Sequence, residues 1–305
     1  MVYTGTISEG IFRLATRPSW DSDDDGKSDI SVWRPDDGIW YVLPSSLTGG
    51  YTATPWGMQG DIPTTGDYDG DGKSDISVWR PGEGVWYTLL SNSPGTYIAT
   101  QWGLPSDIPV PGDYNSDGKD DIAVFRPNAG TWYVLLSGSA GGYTATQWGL
   151  DKDIPVPGDY DGDGKFDVAV WRPDTGIWYI LGSSNQGSYT SIQWGLSSDI
   201  PTPGNYDADG RTDIAVWRPT NGMWYILSSD EPGNYTATAW GMNGDVPASG
   251  DYDGDGMTDI AVSRPSTGAW YILLSGSAGN YMAVKWGLDS DVAISPLTAV
   301  LSSIP

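Results

Sequence analysis

Six stretches of this sequence share the form DxDxDGxxD or a close variant, and oxygen-bearing side chains recur at their first, third, fifth and ninth positions. They are Asp21, Asp23, Asp25 and Asp29; Asp67, Asp69, Asp71 and Asp75; Asp113, Asn115, Asp117 and Asp121; Asp159, Asp161, Asp163 and Asp167; Asn205, Asp207, Asp209 and Asp213; and Asp251, Asp253, Asp255 and Asp259. Oxygens at this spacing, with glycine at the sixth position for a sharp turn, suit a hard cation that takes six to eight oxygen ligands. The seventh residues, Lys27, Lys73, Lys119, Lys165, Arg211 and Met257, vary in type, as expected where only the backbone carbonyl coordinates. Calcium is expected rather than magnesium, which keeps several waters and seldom uses all-protein cages. An EF-hand would need Glu at the twelfth position and a helix on each side. That position is Val32, Val78, Val124, Val170, Val216 and Val262, so each loop must feed a strand. Asp and Gly favour turns without any ion, but 22 carboxylates and two Asn fill the 24 ligand positions and would repel one another unneutralised. The expectation is therefore about six structural Ca2+ ions, one per loop.

The elements that hold these loops repeat with them. Arg-Pro recurs at Arg34, Arg80, Arg126, Arg172, Arg218 and Arg264, always 46 residues apart, and a fixed period of this size marks a repeat architecture. In the second unit, Ile76-Ser77-Val78-Trp79-Arg80 alternates as a strand, with Ile76, Val78 and Arg80 on one face and Ser77 and Trp79 on the other. Pro81-Gly82-Glu83-Gly84 is a tight turn, and Val85 to Leu90 and Tyr97 to Trp102 are further strands. Ser106 to Gly112 leads into the next loop, its alternate prolines suiting a strand that needs few N–H partners. Four short strands per 46 residues, with turns between them and no helical period, predict one blade of an all-β propeller.

The expected domain is a single propeller over 1–305, with complete units 21–66, 67–112, 113–158, 159–204, 205–250 and 251–296, and with closing strands in 1–20 and 297–305. Tyr3-Thr4-Gly5-Thr6 is like Tyr51-Thr52-Ala53-Thr54, and Asp291-Val292-Ala293-Ile294 is like Asp107-Ile108-Pro109-Val110. The two ends thus suggest a composite seventh blade; the alternative is a six-bladed ring whose extra terminal strands cap an edge or pair with a neighbouring molecule.

The chain carries a net charge of -24 with 17 Trp, 18 Tyr, no Cys and no His. The charge argues against nucleic acid, and the missing residue types exclude zinc sites of the usual ligands, disulfides, thiol chemistry and a His-based triad. No apolar stretch is long enough for a membrane-spanning helix. The first residues lack the basic and apolar regions of a signal peptide, so export is expected to use a signal outside this sequence or a leader already removed. Calcium loops of extracellular modules work at about 0.1 to 1 mM, which with the missing Cys points to a secreted or cell-surface setting.

The segment GDYDGDGKSDISVWRP and its five relatives resemble the FG-GAP or VCBS-type repeats of integrin α-subunit propellers, bacterial surface proteins and certain calcium-containing fungal lectins. The resemblance covers about 21 to 296 and implies a calcium loop between the first and second strands of each blade, with seven blades usual. The family's Gly-Ala-Pro after the loop is here Trp-Arg-Pro or a variant, which weakens any transfer of integrin-like ligand binding.

Tryptophan falls into three columns: Trp33, Trp79, Trp171 and Trp217 before Arg; Trp40, Trp86, Trp132, Trp178, Trp224 and Trp270 before Tyr; and Trp56, Trp102, Trp148, Trp194, Trp240 and Trp286 before Gly. Packing between blades accounts for such rings, and the Trp-Gly column is the candidate for a repeated carbohydrate site, where flat rings stack on sugar faces. The Arg column is expected to pair with Asp61, Asp107, Asp153, Asp199, Asp245 and Asp291. With most acids assigned to loops and pairs, no isolated catalytic pair remains. The functional expectation is a non-enzymatic binding or adhesion module for a glycan or surface protein; the alternatives are a self-assembling structural protein and a polysaccharide-active enzyme.

Overall fold

A computed structural model describes residues 20–184, 187–231, 233–276 and 279–303. Short alternating runs separated by Gly- and Pro-containing turns can hydrogen-bond only to their neighbours, and they form six four-stranded antiparallel sheets. The second blade is typical: Ile62–Pro63, Ile76–Arg80, Val85–Leu89 and Tyr97–Gln101 lie side by side in chain order. The innermost strand is two residues long, and its proline sits where one N–H fewer is needed. Ser77, Val78 and Trp79 are all buried, because the second strand is covered on both faces by the adjoining blades. The outer strand alternates only weakly, being mostly exposed.

The described residues form six blades, the alternative that the sequence offered, and no composite seventh blade is found among them. Val292–Ala293, recognised in the sequence as a copy of an innermost strand, pairs with Ile30–Arg34 in the register Val32↔Ala293 and Trp33↔Val292. Each 46-residue unit supplies three strands to one blade and the innermost strand to the next, so the sixth unit completes the first blade. Residues 1–19, with Tyr3 to Thr6, lie outside the described residues. The segment 297–305 holds no closing strand among its described residues. Helix α1 (Thr298–Ser303) follows Pro296, and Leu297 and Val300 pack with Ile108 and Val110 beside the innermost strands. With the ring already closed, no strand edge is left there to pair, so this apolar segment fills space along the axis instead.

Between blades the core is aromatic. Trp40, Trp86, Trp132, Trp178, Trp224 and Trp270 are fully buried, and each indole N–H donates to the carbonyl of the Trp-Gly tryptophan 16 residues on, at 2.9 to 3.0 Å. The turn after Arg-Pro packs so closely that a Cβ on Gly84 (φ +66°) would lie 2.5 Å from the Gly103 carbonyl. Both the positive φ and the close approach require glycine there.

Each Arg of the Arg-Pro column forms a bidentate pair with the predicted Asp. Arg80 Nε and Nη2 donate to Asp61 Oδ1 and Oδ2 at 2.7 and 2.9 Å, and Asp107, Asp153, Asp199 and Asp245 serve Arg126, Arg172, Arg218 and Arg264. Asp291 serves Arg34, which ties the chain's last innermost strand into the first blade. Asp61 Oδ2 also accepts the Met58 N–H, and the Arg80 guanidinium lies 4.5 Å from the centre of the Tyr87 ring. The carboxylates are buried while the arginines stay about one-fifth exposed. Asp61→Ala should therefore cost about 2 to 3 kcal/mol in chemical denaturation, below the value for a wholly buried pair. Glu83→Ala, which removes an exposed partner 3.8 Å from Arg80, should cost less than about 1 kcal/mol.

Candidate metal centre and aromatic grooves

Alternation of strand direction divides the molecule into two faces. The acidic loops, between first and second strands, share one face with the loops between third and fourth strands. The Arg-Pro turns and the Trp-Gly connections share the other.

Five of the six acidic loops are wound about a first-position carboxylate, while the fifth begins with Asn205, whose Nδ2 donates instead to the Gly256 carbonyl of the next loop. Asp21 accepts backbone N–H groups from Asp23, Asp24, Asp25 and Gly26, and Asp67 does the same with Gly70, Asp71 and Gly72. The ninth carboxylate closes the loop: Asp75 accepts the N–H of Tyr68 and of Ser91, the latter from the neighbouring loop. This folding aims carboxylates at one another. Ligand oxygens of Asp21, Asp23 and Asp29, of Asp67, Asp69 and Asp71, of Asp159, Asp161 and Asp167, and of Asp251, Asp253 and Asp255 lie within 4.8 Å of each other, so these clusters can hold metal ions. Asp25, Asp75, Asp163 and Asp259 fall outside those triplets. The third and fifth loops, with Asn115 and Asn205, form no such carboxylate triplet among the described residues.

The donor set fits a cation on a second count. Five buried side-chain N or O atoms among the described residues have no hydrogen-bond partner, and three of them are Asp23 Oδ1, Asp161 Oδ1 and Asn205 Oδ1. A buried acceptor without a donor is costly, and a bound cation would satisfy all three. Burial pushes the Asp75, Asp167, Asp213 and Asp259 carboxyls up to about 6, helped by the charges of Asp69, Asp161, Asp207 and Asp253 respectively. Asp29 and Asp121 are raised for the same first reason.

Two features of the loops escaped the sequence reading. The eighth-position N–H of each loop donates to the first-position carbonyl of the loop before it: Ser74 to Asp21, Asp120 to Asp67, Phe166 to Asp113, Thr212 to Asp159, Thr258 to Asn205, and Ser28 to Asp251, at 2.5 to 2.8 Å. This is an unbroken circle of six hydrogen bonds. The seventh side chain, moreover, can reach the preceding loop. Lys119 Nζ donates to the Asp69 carbonyl of the preceding loop at 2.7 Å, and Arg211 lies against Gly162 in the same way. Five of the six residues there are basic, which was the available signal.

The Trp-Gly column does not stand free as a row of exposed platforms. Trp56, Trp102, Trp148, Trp194, Trp240 and Trp286 are half-buried, and each indole N–H donates across the blade boundary to Tyr87, Tyr133, Tyr179, Tyr225, Tyr271 or Tyr41. Each ring meets a well-exposed tyrosine of the next blade, with centroids 5.3 to 5.7 Å apart, in the pairs Trp56–Tyr97 through Trp286–Tyr51. A groove of about 570 Å³ lies between the fourth and fifth blades, lined by Gln193, by Tyr189 and Trp194, which belong to two different ring pairs, and by Arg211, Ser228 and Ser229. The tyrosines recur every 46 residues in the sequence, but nothing in their spacing announced the pairing.

A model of the FG-GAP-like repeat matches residues 67–124, 113–170 and 205–262. The chain belongs to the FG-GAP-like repeat family. No curated protein matches this FG-GAP-like chain in sequence. Among solved structures it is similar in fold to an Agrocybe aegerita lectin described for specific recognition of non-reducing terminal N-acetylglucosamine, with TM-score 0.55 and 16% identity over 86% of this chain and 77% of the lectin. Virginiamycin B lyase from Staphylococcus aureus gives TM-score 0.55 and 12% identity over 91% of this chain and 87% of that one. At these identities the likeness is one of fold.

The raised carboxyls set the sign of a pH response. A folded-state pKa above the unfolded value means that the metal-free fold takes up protons between about pH 4 and 6, so its stability declines as pH rises through that window. Thermal melts in chelator should therefore give a higher Tm at pH 5 than at pH 7.5. A metal-free Tm that climbs over this range would contradict the assignment.

Proposed function

We propose that this protein is a calcium-stabilised, non-enzymatic binding module that recognises glycans outside the cell. The repeated pairing of a half-buried tryptophan with an exposed tyrosine carries the reading. Six such pairs each offer an apolar ring surface held across a blade boundary, and the groove between the fourth and fifth blades sets hydroxyl, amide and charged groups beside Tyr189 and Trp194. Sugar faces pack on aromatic rings while their hydroxyls take hydrogen bonds from polar neighbours. Six equivalent ring pairs on one propeller would turn weak single-site binding into avidity. A fold shared with a lectin is in keeping with this use.

Calcium is the cation this reading places in the loops. The first, third, fifth and ninth side chains, Asp67, Asp69, Asp71 and Asp75 in the second loop, would hold it, together with the carbonyl of the seventh residue. A divalent ion would cancel the repulsion among clustered carboxylates and satisfy the unpartnered oxygens of Asp23, Asp161 and Asn205. Its role is to stiffen the loops and, through the circle of hydrogen bonds, the ring. The absence of His and Cys and the engagement of the acids in loops and ion pairs support binding rather than catalysis.

Removing calcium with EDTA at pH 7.5 should lower Tm by on the order of 10 °C or more, since several sites of millimolar or tighter affinity act together. An unchanged melting curve would remove the calcium reading. On a glycan array the calcium-loaded protein should bind a restricted set of saccharides. Replacing Tyr97, Tyr143 and Tyr189 together by Ala should weaken that binding by about fivefold to tenfold per site, with Tm unchanged. An array without signal at any calcium concentration would sink the glycan reading.

A further inference from the structure

One loop of the six departs from the rest at the position that organises the others. In five loops the first carboxylate gathers backbone N–H groups of its own turn: Asp113 those of Asn115, Ser116, Asp117 and Gly118, Asp159 those of Gly162, Asp163 and Gly164, and Asp251 those of Gly254 and Gly256. The fifth loop begins with Asn205, which gathers none. Asn205 is buried, its Oδ1 has no hydrogen-bond partner, and its Nδ2 donates to the Gly256 carbonyl of the sixth loop at 3.2 Å. The fourth position of every turn is left-handed. Gly70, Gly162 and Gly254 hold it in the second, fourth and sixth loops, Asp24 and Ser116 in the first and third, and Ala208 (φ +64°) in the fifth. Alanine has neither the freedom of glycine nor a polar group to bond locally in that region. The fifth turn thus lacks both the charge and the winding that shape the other five.

We propose that the fifth loop is the last of the six to fill with calcium and the first to empty, with Asn205 as the residue that sets its affinity. The inference rests on the calcium reading of the loops. The affinity of an oxygen site follows the number of charged ligands and the rigidity of the frame that holds them, and Asn205 lowers both. A neutral amide oxygen replaces a carboxylate, leaving Asp207, Asp209 and Asp213 as the charged side chains. The amide nitrogen is committed to the sixth loop, so the residue is held from outside its own turn, and Oδ1 is the one side-chain oxygen it has left for a cation. The third loop shows the loss of charge alone. It too carries three carboxylates, with Asn115 at the third position, but Asp113 keeps its turn wound. The fifth loop therefore ranks below the third. Its place in the ring gives this a consequence. Ser228 Oγ and Ser229 Oγ donate to Asp207 Oδ2 and Asp209 Oδ2 at 2.6 and 2.9 Å, and the Ser229 N–H donates to Asp213 Oδ1 at 2.7 Å. With Arg211 these serines line the groove between the fourth and fifth blades. The ion held least tightly is thus the one whose ligands also hold a wall of that groove.

The test is a calcium titration of the full chain at pH 7.5, after stripping, in competition with a chromophoric chelator of known affinity. About six ions should bind, the last with a Kd about tenfold or more above that of the tightest. Asn205→Asp should tighten this last step by about tenfold, whereas Asn115→Asp should leave it where it is. Neither substitution changes a side chain of the aromatic core. A parent that takes up five ions and gains the sixth in Asn205→Asp would support the proposal equally. Six equivalent ions, a weakest step unchanged in Asn205→Asp, or one that Asn115→Asp tightens instead would each overturn it and leave the calcium reading standing. A chain that binds no calcium would remove both.

Discussion

Every blade boundary hangs on the backbone carbonyl of a Trp-Gly tryptophan. In the first blade the Trp56 carbonyl accepts the indole N–H of Trp40 at 2.9 Å and of Trp33 at 3.2 Å, while the indole of Trp56 itself donates to Tyr87 in the second blade. An indole N–H buried without an acceptor costs about 1 to 3 kcal/mol. The carbonyl therefore decides where the large rings can go, and the rings decide how the blades meet. The second donor is dispensable. The positions equivalent to Trp33 are Phe125 and Ser263 in the third and sixth blades, and Trp79 Nε1 finds no acceptor. The first donor, by contrast, is present in all six copies.

The acidic face is built on the opposite principle, with charges gathered rather than buried rings. Its circle of backbone hydrogen bonds passes through the first residue of each loop, the same residue whose carboxylate organises the turn in every loop but the fifth. Loop shape and ring closure are thus coupled through single residues. The Arg–Asp braces serve the other face, holding each connection beside the turn it packs on.

Much of this was legible in the sequence because repetition separates signal from noise. The period, the strands of each blade, the loop carboxylates and the partner of every Arg in the Arg-Pro column follow from comparing six copies of one unit. The count stayed open between seven blades and six because the likeness of Asp291–Ile294 to an innermost strand shows what the segment is, while its place depends on which edge is open. Val32 and Trp33 offered that edge. Helix α1 was missed because six residues carry too little periodicity to outweigh the surrounding strands. The tyrosine partners of the Trp-Gly column lie one blade further on, 41 residues along the chain from Trp56 to Tyr97, beyond any local pattern. The basic seventh positions looked indifferent because their contacts reach a different loop.

The way the ring is closed also determines how the molecule would carry load. Five blades are continuous in chain order, but the first is assembled from both ends of the described chain. Tension drawn between Trp20 and α1 would fall first on the short pairing of Val292–Ala293 with Val32 and Trp33, and on the Arg34–Asp291 brace beside it. The remaining blades would stay in register until that clasp sheared. The closure is thus a clasp at the ends of the described chain, backed by the Ser28–Asp251 hydrogen bond and by the contacts of Trp286 with Tyr41 and Tyr51.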